Sequence, residues 1–128
     1  MAGVMAICME VMDRPWHWGV ADCCTAACDV FARLHGVDPM ARLRGRYSTR
    51  LGALRLITQG GGFERFIATE CRIAGLIASS GAVGDVGVVR DGSGALALGV
   101  CTERGWVAKS ERGLVAARME RAWSCRQQ

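Results

Sequence analysis

At 128 residues, 51 % of them apolar, the chain is long enough to bury the core of one domain spanning 1–128 without covalent staples. Its net charge of +4 is modest, and its 16 basic residues, all but one of them arginine, are spread among acids apart from one cluster, which gives no nucleic-acid signal. Seven irregularly spaced cysteines argue against a disulfide framework, and an apolar opening with no Lys or Arg before it and Glu10 within it is neither signal peptide nor membrane span, so reduced thiols in a cytoplasmically made protein are expected.

In chain order, Val4, Ile7, Cys8, Val11 and Met12 recur at helical spacing and Pro15 marks the end, which predicts a helix from Val4 to Asp13. The stretch Arg14-Pro15-Trp16-His17-Trp18-Gly19-Val20-Ala21-Asp22-Cys23-Cys24-Thr25 then leads into a second helix, Cys23 to Leu34, with Asp22 as its N-cap. A thiol at the first helical position lies in the positive end of the helix dipole, which favours the thiolate, so Cys23 is a candidate nucleophile. Cys23, Cys24 and Cys28 suit a core helix equally well as small apolar residues.

His35-Gly36 reads as a stop, and Asp38-Pro39 as a new turn of helix. The arginine cluster follows: Arg42, Arg44, Arg46 and Arg50 around Tyr47, then Arg55, with no acid between Pro39 and Phe63. These arginines either stay solvated, find partners elsewhere in the chain, or form a docking surface for an acidic partner. Ser48 is expected to cap a third helix from Thr49 to Gln59, ended by Gly60-Gly61-Gly62, and a fourth runs from Phe63 to Glu70.

Ile73 to Ala82 is apolar and ambiguous. Gly84-Asp85 then opens a β-rich half: a strand holding Val86, Val88 and Val89, a turn over Asp91 to Gly94, and a partner strand from Ala95 to Cys101. Glu103 to Gly105 turns into Trp106 to Ala108. Leu114 to Ala116 and Ala122 to Ser124 are candidates for the last strands, and Ala116 to Ala122 fits a strand or a helical turn. Helices first and an antiparallel meander second make an α+β domain.

The order Trp18, Gly19, Asp22, Cys23, then Gly84-Asp85-Val86, then Leu98-Gly99-Val100 resembles the NlpC-type branch of papain-like cysteine peptidases. From Pro15 onwards the chain more closely resembles a family of small proteins encoded among the tail genes of tailed phages, prophages and gene-transfer-agent-like elements. The features carrying this are Trp-Gly-x-x-Asp-Cys, an Asp-Pro followed by Leu-Arg-Gly-Arg-Tyr, a Gly-Gly after the third helix, Gly-Asp-Val, Ala-Leu-Gly-Val-Cys, and Trp123.

The resemblance implies a papain-like core in which Gly19, Asp22, Gly84, Asp85 and Gly99 are structural and Cys23 stands at the nucleophile's place. The histidine that such peptidases carry directly before the apolar-Gly-apolar strand centre falls here on Ala97, and no His, Asn or Gln occurs from Trp106 to Lys109 to orient it. Only two histidines exist. His35 lies at the far end of the Cys23 helix, about 18 Å away at roughly 1.5 Å per residue, which leaves His17 as the one candidate base. Cys24 and Cys28, four residues apart, are candidates to join Cys8, Cys71, Cys101 or Cys125 around a metal or Fe–S cluster, but no C-x-x-C occurs and no cofactor is expected.

Together these readings make the chain a degenerate peptidase fold working as a structural component of a phage or phage-derived tail, at the tail tip of the virion. It would meet other tail-tip proteins in a symmetric, multi-copy assembly through Arg42, Arg44, Arg46, Tyr47, Arg50, Trp16 and Trp18, with no direct nucleic-acid contact. The alternative is an active cysteine peptidase or amidase opening peptidoglycan cross-links during entry, with Cys23 as nucleophile. A cysteine-bound metal site is the second alternative.

Overall fold

The computed structural model describes residues 3–125. Four helices come first, α1 (Val4–Met12), α2 (Cys23–His35), α3 (Arg50–Gln59) and α4 (Phe63–Ile73). Five strands follow: β1 (Ile77–Ser79), β2 (Val86–Asp91), β3 (Leu96–Thr102), β4 (Gly105–Ser110) and β5 (Gly113–Ser124). The fold is α+β, with N-terminal helices and then an antiparallel β-meander, and among the described residues no helix is long and apolar enough to cross a membrane.

Local chemistry sets the helix ends. Asp22 caps α2 through a reciprocal box, its carboxylate accepting from the Thr25 amide at 2.9 Å while the Thr25 hydroxyl accepts from the Asp22 amide at 2.8 Å. Gly36 ends α2 in the left-handed region at φ 74°. The cap of α3 is Thr49 rather than Ser48: its backbone is extended and its hydroxyl accepts from the Gly52 amide at 3.0 Å, so the helix begins at Arg50. Asp38-Pro39 starts a run of hydrogen-bonded turns, not a helix, with Asp38 accepting from the Met40 amide at 2.9 Å. α4 runs three residues past Glu70, to Ile73, with Ala74 as its C-cap, and Glu70 is buried against Arg42 within it.

The strands lie in the order β1-β5-β2-β3-β4, and β4 pairs with β5 as well, so β2, β3, β4 and β5 close a circuit. β5 makes this possible by running unbroken through the stretch that fits two conformations in sequence: Leu114 to Ala117 pair with β4, and Ala117 to Trp123 with β2. The ambiguous 73–82 stretch supplies the end of α4 and then β1, which pairs Ile77 with Ser124 and Ser79 with Ala122.

Two glycines let the circuit close. Gly87 pairs with Gly99, and a Cβ on Gly99 would lie 2.6 Å from the Val107 carbonyl oxygen, while one on Gly87 would meet the Arg121 carbonyl at 2.6 Å and the Trp106 ring at 2.9 Å. The core lies between the sheet and α2, where Val30, Phe31 and Cys28 meet Val86, Val88, Leu98 and Val100, and Trp123 is buried with them. α2 packs chiefly on β3, and Cys23 at its N-terminus shares a cleft with Ala97 and Leu98 of that strand.

Candidate functional site

Asp22 is the organising residue of the site. It is 2 % exposed and both carboxylate oxygens are occupied. Oδ1 accepts from the Thr25 amide, and Oδ2 accepts from the Gly19 amide at 2.8 Å and the Tyr47 hydroxyl at 2.6 Å. Gly19 has φ +85°, and a Cβ there would lie 2.3 Å from the Tyr47 carbonyl oxygen, so only glycine lets the two segments touch. The Trp-Gly-x-x-Asp-Cys box and the Leu-Arg-Gly-Arg-Tyr segment are therefore one joint. Tyr47 is a structural partner that the sequence pattern assigned to an outward surface.

That joint sets Cys23 at the first position of α2, half-buried beside Cys24 with their sulfurs 3.9 Å apart. The Cys24 thiol pulls the Cys23 thiol below its ordinary value, and the Leu98 and Cys24 backbone amides add to this against burial and the Asp22 carboxylate. Cys24 is pushed well above its ordinary value by the same hydrogen bond and by burial. Burial also raises Cys28 far up and Cys71 to about 12.

Cys23 opens into a cleft of about 440 Å³. Trp16 and Trp18, edge to face at 5.1 Å between ring centroids, form one wall, and Met40, Leu43, Phe66 and α3 form others. Ala97 and Leu98 of β3 line the cleft as well, and neither histidine does. His17 is exposed, its backbone paired with Ala21 in a tight turn. The His35 Nε2–H donates to the Gly84 carbonyl at 2.9 Å, and its ring lies 4.4 Å from that of Phe31.

Three ionisable groups on the walls are engaged away from Cys23. Glu70 holds Arg42 through two oxygens, at 3.1 and 3.2 Å. Asp91 accepts from Ser93 and Ala95. Lys109 of β4, 3 % exposed, donates to the Met12 carbonyl at 2.9 Å and to that of Arg14. Lys109 thus ties α1 and the lead-in loop to the sheet, and the sequence offered no signal for it beyond being the single lysine of the chain.

Asp85 also closes a joint, accepting from the Ser79 hydroxyl at 2.7 Å and the Ala82 amide at 2.8 Å, next to Gly84 at φ +96°. The arginine cluster divides. Arg44 bridges Asp29 at 2.7 Å and Asp38 at 3.1 Å, and Arg42 pairs with Glu70, so both are used within the chain. Arg46 and Arg50 are exposed, and Arg50 stands at the cleft. Among the described residues, no group of three or more His, Cys, Asp or Glu is placed to hold a metal ion.

Fold and site define an α+β domain in which a capped helix presents a vicinal thiol pair to an apolar cleft without an imidazole on its walls. The chain belongs to the DUF6950 family, described as a domain of unknown function, whose model matches residues 2–125. No match is found among the curated proteins or among the solved structures.

Proposed function

We propose that this chain is a structural component of a bacteriophage or phage-derived tail, at the tail tip, built on a papain-like scaffold that has lost its hydrolase chemistry. The observation that carries the reading is the lining of the cleft, in which Cys23, Ala97 and Leu98 take part while His17 and His35 do not. A thiolate without a proton shuttle cannot expel an amine leaving group efficiently. What supports assembly is the resemblance to tail-encoded proteins, together with the exposed Arg46 and Arg50 beside the exposed Leu51 and Leu54. Arg42 and Arg44 are not part of that surface in the same sense, since each has an acidic partner in the chain.

The test is a double charge reversal, Arg46→Glu with Arg50→Glu. The variant is expected to fold with unchanged thermal stability and to be missing from purified tails; incorporation at normal levels would sink the docking assignment. The peptidase reading retains one observation in its favour, the lowered Cys23 thiol. Release of soluble peptides from peptidoglycan by the wild-type chain and not by Cys23→Ala would establish it over the scaffold.

A further inference from the structure

Four thiols, Cys23, Cys24, Cys28 and Cys71, share the cleft, and only the first two are partly open to solvent. The remaining walls are mostly apolar, with the rings of Trp16, Trp18 and Phe66 and the Leu56 and Ile57 side chains of α3. α3 has no buried residue of its own, so it covers this space as a loosely seated element. The Trp16 indole N–H, on the tryptophan wall, is shut off from water with no acceptor among the described residues. The half-open Cys23 thiol supplies a nucleophile at one end of this space, and an apolar chain is what the walls accept.

We infer that Cys23 is an S-acylation site: the cleft takes the chain of an acyl thioester and the thiol keeps the acyl group. The Cys23 thiolate attacks the carbonyl carbon, the new C–S bond forms as the donor's C–S bond breaks, and the donor leaves as a thiolate that is protonated by solvent. Nothing is oxidised or reduced. Because a thiolate enters and a thiolate leaves, the exchange needs no imidazole, whereas hydrolysis of the product needs a water deprotonated in the cleft. The missing base at Ala97 therefore blocks turnover and leaves loading intact, which makes the adduct long-lived. This inference rests on the cleft and Cys23 and is independent of the tail assignment.

The experiment is incubation of the full chain with octanoyl-coenzyme A or with acetyl-coenzyme A at neutral pH, followed by intact mass and peptide mapping. One octanoyl group is expected on Cys23, released by neutral hydroxylamine and formed at least about tenfold faster than the acetyl adduct, because buried methylenes favour the longer chain. Ala53→Trp, which fills the cleft from α3, is expected to erase the chain-length preference while iodoacetamide still alkylates Cys23. No adduct, equal rates for the two donors, octanoyl spread equally over Cys24 and Cys125, or a full preference retained in Ala53→Trp would each overturn the proposal.

Discussion

Asp22 acts at once as helix cap, loop clamp and partner of Tyr47, and the three roles share one carboxylate. Tyr47→Phe removes a hydrogen bond to a buried charge, and equilibrium urea unfolding should show a loss of about 1.5–3 kcal/mol. Gly19→Ala should cost more, about 2–4 kcal/mol, since it combines a strained φ with a collision against backbone. Cys23 gives a residue-scale pH prediction. Its folded value lies below the ordinary thiol value while those of Cys24, Cys28 and Cys71 lie above it, so Cys23 should be the thiol within the cleft that an alkylating probe modifies at neutral pH. Cys24→Ala removes the main cause of the lowering, and the midpoint of the labelling profile read by mass spectrometry should move to higher pH.

The same physics ties whole elements together. Gly3, the N-cap of α1, makes no side-chain cap hydrogen bond, and the missing acceptor comes from the far end of the chain: Glu103, on the β3–β4 turn, accepts from the Met5 amide at 2.8 Å and the Val4 amide at 2.7 Å. These amides hold the Glu103 carboxyl below its ordinary value. With the folded value depressed, the stabilisation is fully present above the unfolded value of 4.5 and is lost as pH falls through the lower folded value. Amide exchange in the first turn of α1 should therefore quicken on acidification through that window, and Glu103→Gln should abolish the dependence.

Arg44 belongs to the same scale, because it joins the segment after α2 back to α2. Arg44→Glu should destabilise the domain by about 1–3 kcal/mol, as it replaces two half-exposed ion pairs with repulsion from Asp29 and Asp38; a thermal melt at low and high salt measures this. α3 is held differently, by the Thr49 cap and by contacts with α4 without a buried residue, so its amides should exchange ahead of those of α2.

For the molecule as a whole, the closed β2-β3-β4-β5 circuit fixes the distance from α2 to β3, and with it the wall that Cys23 faces. His35 fixes the other end of α2 on Gly84, so the helix is pinned at both ends to the same sheet. Placing an imidazole on this rigid frame tests the scaffold directly. Ala97→His should form an imidazolium–thiolate pair and carry rapid alkylation of Cys23 about one pH unit lower than in the wild type. A profile unchanged in shape would mean that position 97 does not address the sulfur.

Much of this was legible along the chain, where the determining physics is local. Asp22 and Gly36 bound α2, glycine runs end α3, and alternating valines with an Asp-Gly turn specify the first hairpin, because caps and turns are settled within a few residues. The presence of Cys23 at a helix start and the absence of a base at Ala97 needed nothing more. Tertiary structure alone decided which side chains meet across long separations: Tyr47 with Asp22, Arg42 with Glu70, Lys109 with the end of α1, and Glu103 with its start. It also decided that β5 is one strand, since a stretch of mixed polarity becomes extended when partners on both sides take its backbone hydrogen bonds. An arginine cluster looks the same in sequence whether it is solvated, docking or paired at home; only the folded positions of Asp29, Asp38 and Glu70 separate Arg42 and Arg44 from Arg46 and Arg50.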